Sequence, residues 1–352
     1  MFRPLVDRIG LREEKTVDIV ERLGVISPKR VHLRNYPVDN PTTVFNPAML
    51  VSGGVVEVYP RVVMGYFSYA SAIAKIEIAV EDLLGRGVVS VSHYPADIVL
   101  YPDCRYDLWG TEDPRISTVG DRVLMTYCGR TISYFNPMIR IERTLPVTAV
   151  LDREKGVWRK SCTFRMPKGI REFVVSDKDA FVVEEGGELL LFHRPHMRDE
   201  KEYYVLALSK IRRDALEGEG VREVIAEESM EVLYPEPFES KLGWCAPPIR
   251  IGDESLLLVH AVDREELVYR VFAVLMKLEG EPRVTAITPH YIMEPKMSYE
   301  IYGDRPYTVF PCGAQVVDEK LVVSYGAGDL MTGFGCIDLS VLLSILDKNR
   351  LE

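Results

Sequence analysis

The chain has 352 residues, 47% of them hydrophobic and 27% charged, with a formal net charge of -10. This is the composition of an ordinary globular protein with a large core, which excludes a disordered chain. The acidic balance also argues against a general nucleic-acid binder, whose grip on the phosphate backbone needs clustered Lys and Arg, although a small anion needs only a local basic pocket.

The first 22 residues mix Arg3, Asp7, Arg8, Arg12, Glu13, Glu14 and Lys15 with short apolar stretches. That is neither a secretory leader nor a membrane span, and it predicts a cytoplasmic protein with no membrane partner. Apolar residues at helical spacing between Lys15 and Leu23 then predict a helix over about 13–24.

From about residue 40 to 340 one pattern recurs. A short apolar strand ends at Tyr59, Tyr127, His193, His260 and Tyr325, in steps of 68, 66, 67 and 65 residues. Each is followed by a second strand-like run, as in Ile76 to Val80 or Val271 to Leu275. Each is preceded by a tight polar or proline-bearing element: Asn46-Pro47-Ala48, Glu112-Asp113-Pro114-Arg115, Asp177-Lys178-Asp179-Ala180, Ala246-Pro247-Pro248-Ile249 and Phe310-Pro311-Cys312-Gly313. Five units of about 66 residues, built of short strands and turns, predict an all-β protein: a five-bladed β-propeller occupying 1–352 as one domain. A closing helix is expected over about 338–347, with Ser340 as its cap candidate. Both terminal helices read as packing elements, and a homo-oligomer formed through them is compatible with the sequence.

In a propeller the first strand of each blade lines the central channel, so Asn46, Asp113, Lys178 and Asp179 should converge there although they are far apart in sequence. Asp113 is the acid candidate: Pro114 restricts its backbone to extended geometry, and the neighbouring carboxylate of Glu112 would favour keeping one of the two protonated. Its plainer reading is a turn residue at the head of an inner strand. Arg61, Arg130, Arg140, Lys178, Arg194 and His260 lie in or beside the inner strands. Singly each could be a salt bridge, but as a set directed into a channel they imply a bound anion.

Among the aromatics, Tyr59, Trp109, Tyr127, Trp244, Tyr299 and Phe310 could stack on sugar rings, with core packing the plainer role for each. His193 and His196 have an H-x-x-H spacing but point to opposite faces of a strand, so no metal is expected. The six cysteines, at 104, 128, 162, 245, 312 and 336, form no C-x-x-C pair and read as small buried residues. Only five Asn and one Gln occur, a scarcity that fits a thermophilic source.

Taken in order, Asn46-Pro47-Ala48, Glu112-Asp113-Pro114-Arg115, Lys178-Asp179-Ala180, His193-Arg194-Pro195, Lys241-Leu242-Gly243, Pro247-Pro248-Ile249, Phe310-Pro311-Cys312-Gly313 and Tyr325-Gly326-Ala327-Gly328-Asp329 resemble glycoside hydrolase family 130, from about Asn46 to the C-terminus. The resemblance implies an inverting β-mannoside phosphorylase that transfers a terminal β-mannosyl unit to inorganic phosphate and releases α-mannose 1-phosphate. No cofactor is implied beyond phosphate as co-substrate. Asp113 would be the sole catalytic carboxylate, passing its proton through a sugar hydroxyl. Arg130, Arg140, Lys178, Arg194 and His260 would gather the phosphate, while Asn46, Arg61, Asp179, Asp329 and Tyr299 would line the sugar subsite. The first alternative is an inverting β-mannosidase on the same fold, for which Glu239 or Glu300 would supply the base. The second is a non-catalytic carbohydrate-binding propeller.

Overall fold

The computed structural model describes residues 2–351 apart from 67, 86, 137 and 219. Five sheets, each built around an antiparallel meander, are arranged as the blades of a propeller. Their innermost strands are Thr43–Ser52, Thr111–Val119, Val174–Glu185, the broken pair Glu239–Trp244 and Ile249–Ile251, and Val309–Val317. The apolar strands that repeat in the sequence are the second strands of the blades, Val55–Val63 through Lys320–Ala327.

The polar elements are interruptions in the innermost strands. Pairing slips between Phe45 and Ala48 in blade I, between Glu112 and Arg115 in blade II, and between Lys178 and Phe181 in blade III. Each slip is a bulge whose extra residue has a left-handed backbone: φ is 48° at Asn46, 53° at Asp179 and 52° at Asp113, where the extended geometry expected before Pro114 gives way to the bulge. Asn and Asp tolerate that conformation better than other side chains, and the bulge re-aims the side chain out of the sheet. One motif, repeated at blade spacing, thus delivers three polar groups toward the axis.

Apolar clusters fill the wedges between blades. Phe181 and Phe192 of blade III stack with centroids 4.9 Å apart, and Trp244 of blade IV meets Phe192 edge-on at 5.0 Å while its Nε1 donates to the Ala207 carbonyl at 3.0 Å. Truncating such a buried indole to Ala costs about 3–5 kcal/mol.

The ring is closed by the N-terminal segment, and here the expected helix over 13–24 is absent. Glu21–Ile26 is instead the outermost strand of blade V, antiparallel to Met331–Asp338. A register shift between Arg22 and Gly24 explains the misreading. It breaks the two-residue alternation, so Val20, Leu23 and Ile26 are all buried at a spacing of three that imitates a helix. Two buried carboxylates dock this segment. Glu300 accepts from Arg22 Nε at 2.7 Å and from the Tyr325 hydroxyl at 2.7 Å; Glu239 accepts from Arg12 at 2.6 Å and the Tyr291 hydroxyl at 2.7 Å. The closing helix, Leu339–Asp347, is present, but its cap is Asp338, which accepts from the amides of Ser340 and Val341, rather than Ser340 itself. None of the helices among the described residues is long and apolar enough to cross a membrane.

Candidate active site

The innermost strands and the loops above them enclose a cavity of about 390 Å³ lined by all five blades. Asn46, Arg61, Asp113, Arg130, Lys178, Asp179, Arg194 and Asp329 all line it, eight of the eleven residues singled out from the sequence. The other three lie elsewhere. Arg140 is exposed on the loop after the second strand of blade II, and Tyr299 packs against the apolar cluster between blades IV and V. His260 is fully buried behind Asp179, with Nε2 3.6 Å from Oδ2, and stacks on Phe310 and Tyr269. Burial pushes the His260 imidazole down to about 3, so it is neutral at ordinary pH and supports Asp179 rather than offering a charge to a ligand.

At the acid end, Asp113 is held by one oxygen. Its Oδ1 accepts from Asn46 Nδ2 at 2.8 Å and Arg61 at 3.2 Å. No group among the described residues hydrogen-bonds Oδ2, which is left for a ligand. Close approach here depends on Gly326, where a Cβ would stand 1.7 Å from Asn46 Oδ1.

Glu112 has a different role from the one its neighbourhood to Asp113 suggests. It is fully buried and accepts from Arg130 Nε at 3.0 Å, the Tyr134 hydroxyl at 2.5 Å and Lys178 Nζ at 3.4 Å, with Arg61 at 3.1 Å. Burial alone would raise its pKa, but Arg61, Lys178 and Arg130 together hold it well below the usual carboxylate range. It is the permanent anion that gathers three cations at the cavity wall, not a proton store.

Asp179 is the second such anchor, accepting from Arg194 Nε at 2.5 Å and Arg115 at 3.2 Å. Against its burial, Arg194 and Arg115 hold it ionised below the usual range. Arg115 lies beneath the cavity, completely buried, and also donates to the carbonyls of Asp113 at 2.9 Å, Trp244 at 2.9 Å and Cys245 at 2.5 Å. It ties blades II, III and IV together under the site. Gly243 leaves the space for this packing: a Cβ there would lie 2.3 Å from His260 Cε1 and 2.5 Å from Asp179 Oδ2.

Asp329, from the loop of blade V, is also left-handed, with φ 51°. Burial first, and then the nearby Asp113, push its carboxyl up to about 6 against the pull of Arg305.

Sequence reasoning passed over Glu112 as a ligand anchor, and also Tyr134, Tyr204, Lys241, Tyr269, Asp304 and Arg305, all of which line the cavity. Lys241 stood within the motif Lys241-Leu242-Gly243; Asp304 and Arg305 lie outside the repeated strands and polar elements and left no periodic signal. The one group of three metal-ligand side chains among the described residues, Asp103, Cys104 and Asp107, already holds the Lys160 ammonium, 2.5 Å from Asp107. The arrangement can therefore present a proton donor at one place in the cavity and a cluster of cations at another.

Comparison with known proteins bears on the family and the fold. A family model described as beta-1,4-mannooligosaccharide phosphorylase matches residues 10–348. A beta-1,2-mannobiose phosphorylase of a Thermoanaerobacter species is 31% identical over 248 residues, covering 68% of this chain and 70% of that protein. One of Listeria innocua is 24% identical over 307 residues, 86% of this chain and 75% of its own. The solved structure of a Listeria innocua beta-1,2-mannobiose phosphorylase with beta-1,2-mannobiose superposes with a TM-score of 0.69 at 18% identity, over 94% of this chain and 99% of that one, a likeness of fold. With the family model running nearly end to end over a five-bladed propeller, the chain belongs to glycoside hydrolase family 130, a family of mannoside phosphorylases.

Proposed function

We propose that the protein is an inverting phosphorylase that cleaves a terminal β-mannosyl unit with inorganic phosphate. The observation that carries the reading is the placement of Asp113, with a free carboxylate oxygen, in the same cavity as Arg130, Lys178 and Arg194. The names of the relatives make a β-1,2-linked mannobiose the first substrate to test and a β-1,4-linked one the second.

In this reading Arg130, Lys178 and Arg194 hold phosphate against the face of the sugar opposite the leaving group. A phosphate oxygen forms a bond to C1 as the bond from C1 to the glycosidic oxygen breaks. That oxygen takes the proton of Asp113, relayed through a hydroxyl of the mannosyl ring, and departs as the hydroxyl of the shortened sugar. The products are α-mannose 1-phosphate and the acceptor, with Asp113 left as carboxylate, steadied by Asn46 and Arg61. Water as nucleophile would need a base to take its proton, whereas phosphate is already an anion. The two bases considered for a hydrolase support this choice: Glu239 and Glu300 are buried posts for the N-terminal segment, committed to Arg12 and Arg22.

The test is incubation of the full chain with β-1,2- and β-1,4-mannobiose, with and without phosphate, following α-mannose 1-phosphate. Formation of that product only with phosphate, and its loss by about 10²–10⁴-fold in Asp113→Asn, is the expected result. Release of free mannose at a rate indifferent to phosphate would replace the reading with hydrolysis.

A further inference from the structure

A second concavity lies beside the catalytic one: a cleft of about 650 Å³ whose lining includes Tyr36, Met64, Ile98, Tyr101 and Leu108. Three connections build it. One bears Asn35 and Tyr36 and leads to Thr43; another bears Met64, Ser68 and Ala70 and joins the second strand of blade I to its third, Ser71–Ala79; the last bears Tyr101 and Leu108 and leads to Thr111. Thr43 pairs with Val63 and Phe45 with Arg61, while Glu112 and Asp113 follow directly on Thr111. All three connections therefore lie at the end of the blades that holds Asn46, Arg61 and Asp113.

The two spaces share a wall. Tyr69, left-handed with φ 54°, lines the catalytic cavity, where its ring meets Tyr134 edge-on at 5.4 Å, whereas its neighbours Ser68 and Ala70 line the cleft. Ser71, also in the cleft, donates to the Thr111 carbonyl at 3.0 Å, one residue before Glu112. One stretch of backbone thus separates cleft from cavity.

Their linings differ in kind. Eleven Asp, Glu, Lys and Arg side chains line the cavity; among the described residues none lines the cleft, in a chain of which 27% is charged. The cleft offers instead the phenol rings of Tyr36 and Tyr101, 41% and 56% exposed, and the Ser68 hydroxyl among apolar side chains. Asn35 donates to the Ile98 carbonyl at 2.9 Å and accepts from the Ile98 amide at 2.8 Å, so Tyr36 is presented from a segment bonded to the strand Tyr94–Leu100. Exposed rings and hydroxyls without charge match a ligand that is itself neutral, with C–H faces to pack on the rings and hydroxyls to meet theirs. An anion or a charged peptide finds no counter-charge here. A sugar unit has the required faces.

We propose that this cleft is a further sugar-binding site, which takes the acceptor-end units of a mannooligosaccharide longer than two residues as the chain leaves the catalytic cavity over the shared wall. The proposal rests on the mannoside reading above and adds to it a determinant of chain length. Contacts made this far from the bond that breaks raise kcat/KM for long substrates and are not made by short ones.

Initial rates on mannobiose and on mannotetraose of the same linkage, for the full chain as wild type and as Tyr36→Ala/Tyr101→Ala, make the test. Wild type should have the higher kcat/KM on the tetraose. The double variant should lose about tenfold of that advantage and each single Ala variant part of it, at an unchanged melting temperature, while Tyr36→Phe/Tyr101→Phe, which keeps both rings, should retain it. A tetraose-to-mannobiose ratio that is the same in wild type and the double variant, or a wild type without preference for the tetraose, overturns the proposal, and phosphate-dependent cleavage of mannobiose would still leave the reading beneath it standing. Cleavage of neither sugar would remove that reading. Calorimetric titration of mannotetraose into wild type and the double variant then decides the cleft alone: weaker binding to the variant supports it, and equal affinity overturns it.

Discussion

Gly243→Ala is the substitution by which packing beneath the cavity can be connected to anion binding. The added methyl would stand 2.3 Å from His260 Cε1 and 2.5 Å from Asp179 Oδ2. Ordinary carbon contacts begin near ~3.5 Å, so both neighbours must yield by roughly 1 Å. Neither is the loose end of a flexible chain. His260 is wedged against Phe310, with ring centroids 4.7 Å apart, and Asp179 is held by Arg115 at 3.2 Å and Arg194 at 2.5 Å. Overpacking of this kind costs about 1–3 kcal/mol of stability. More usefully, if Asp179 moves, Arg194 moves with it, and a 1 Å misplacement in a reacting site costs up to about 10²-fold in rate. The expected result is a fall of about 10- to 100-fold in kcat/KM for phosphate, with the KM for mannobiose changing far less. Gly169→Ala, where a Cβ would meet nothing within 4 Å, is the control and should be neutral. Initial rates against phosphate and against mannobiose, with thermal unfolding of each variant, make the measurement. A folded Gly243→Ala enzyme with wild-type phosphate kinetics would refute the link from Gly243 through Asp179 to Arg194.

Glu112→Gln strips the shared counter-ion from Arg61, Arg130 and Lys178, and should destabilise the empty protein by about 3–5 kcal/mol. Phosphate would then replace part of the lost charge, so its addition should raise the melting temperature of the variant more than that of wild type. Arg115→Met removes this donor from three buried carbonyls and leaves Asp179 to Arg194 alone, again at about 3–5 kcal/mol, and Arg115→Lys should recover little because an ammonium cannot reproduce the planar fork; melting temperatures of both variants check this. Asp329→Asn should stabilise the protein while weakening mannoside turnover. The folded-state carboxyl, raised from 3.8 to about 6, binds its proton more tightly than in the unfolded chain, so its favourable contribution is complete at low pH and is lost as pH rises through about 6. At pH 7–8 that penalty amounts to at most roughly 3 kcal/mol. The melting temperature of the Asn variant should therefore exceed wild type there and converge with it near pH 4.

The blades were legible because one spacing carried two independent signals, an apolar second strand and a polar bulge. The bulge signal was strongest where Asn or Asp occupied a left-handed position, as at 46, 113 and 179. The N-terminal strand was illegible for the converse reason: its own bulge erased the alternation that marks a strand, and its partner, Met331–Asp338, lies more than 300 residues away. Within the site, side chains on the repeated elements could be placed by counting. His260 could not be distinguished from a ligand, since only the third dimension puts it behind Asp179 instead of beside it. Arg140 and Tyr299 lie on connecting segments, where spacing no longer fixes direction. Lys241 was hidden in plain view: it stands in the cavity lining between the rings of Tyr204 and Tyr269, and only the third dimension brings those two rings to it.

A symmetric scaffold has been made asymmetric at one level, and the asymmetry bears on the choice of nucleophile. Counting on by 66 and 67 residues from Asp179 reaches Cys245 and Cys312, where the other three blades have Asn46, Asp113 and Asp179. Both cysteines are buried and neither has a left-handed backbone. Blades IV and V therefore supply no polar group from this position; they contribute Lys241, Arg305, Asp304 and Asp329 from neighbouring strand and loop positions. The lining then holds six Lys and Arg side chains, at 61, 130, 178, 194, 241 and 305, against five carboxylates, at 112, 113, 179, 304 and 329. Once Asp113 carries the proton that the leaving oxygen requires, four carboxylates face the five cations at 61, 130, 178, 194 and 305 together with Lys241, whose ammonium burial and the neighbouring arginines push down to about 7. A water molecule would leave this positive excess without a partner in a largely buried site, a costly arrangement, whereas a phosphate dianion offsets it and offers oxygens to the cations. The charge of the cavity in its reactive state thus favours phosphate over water.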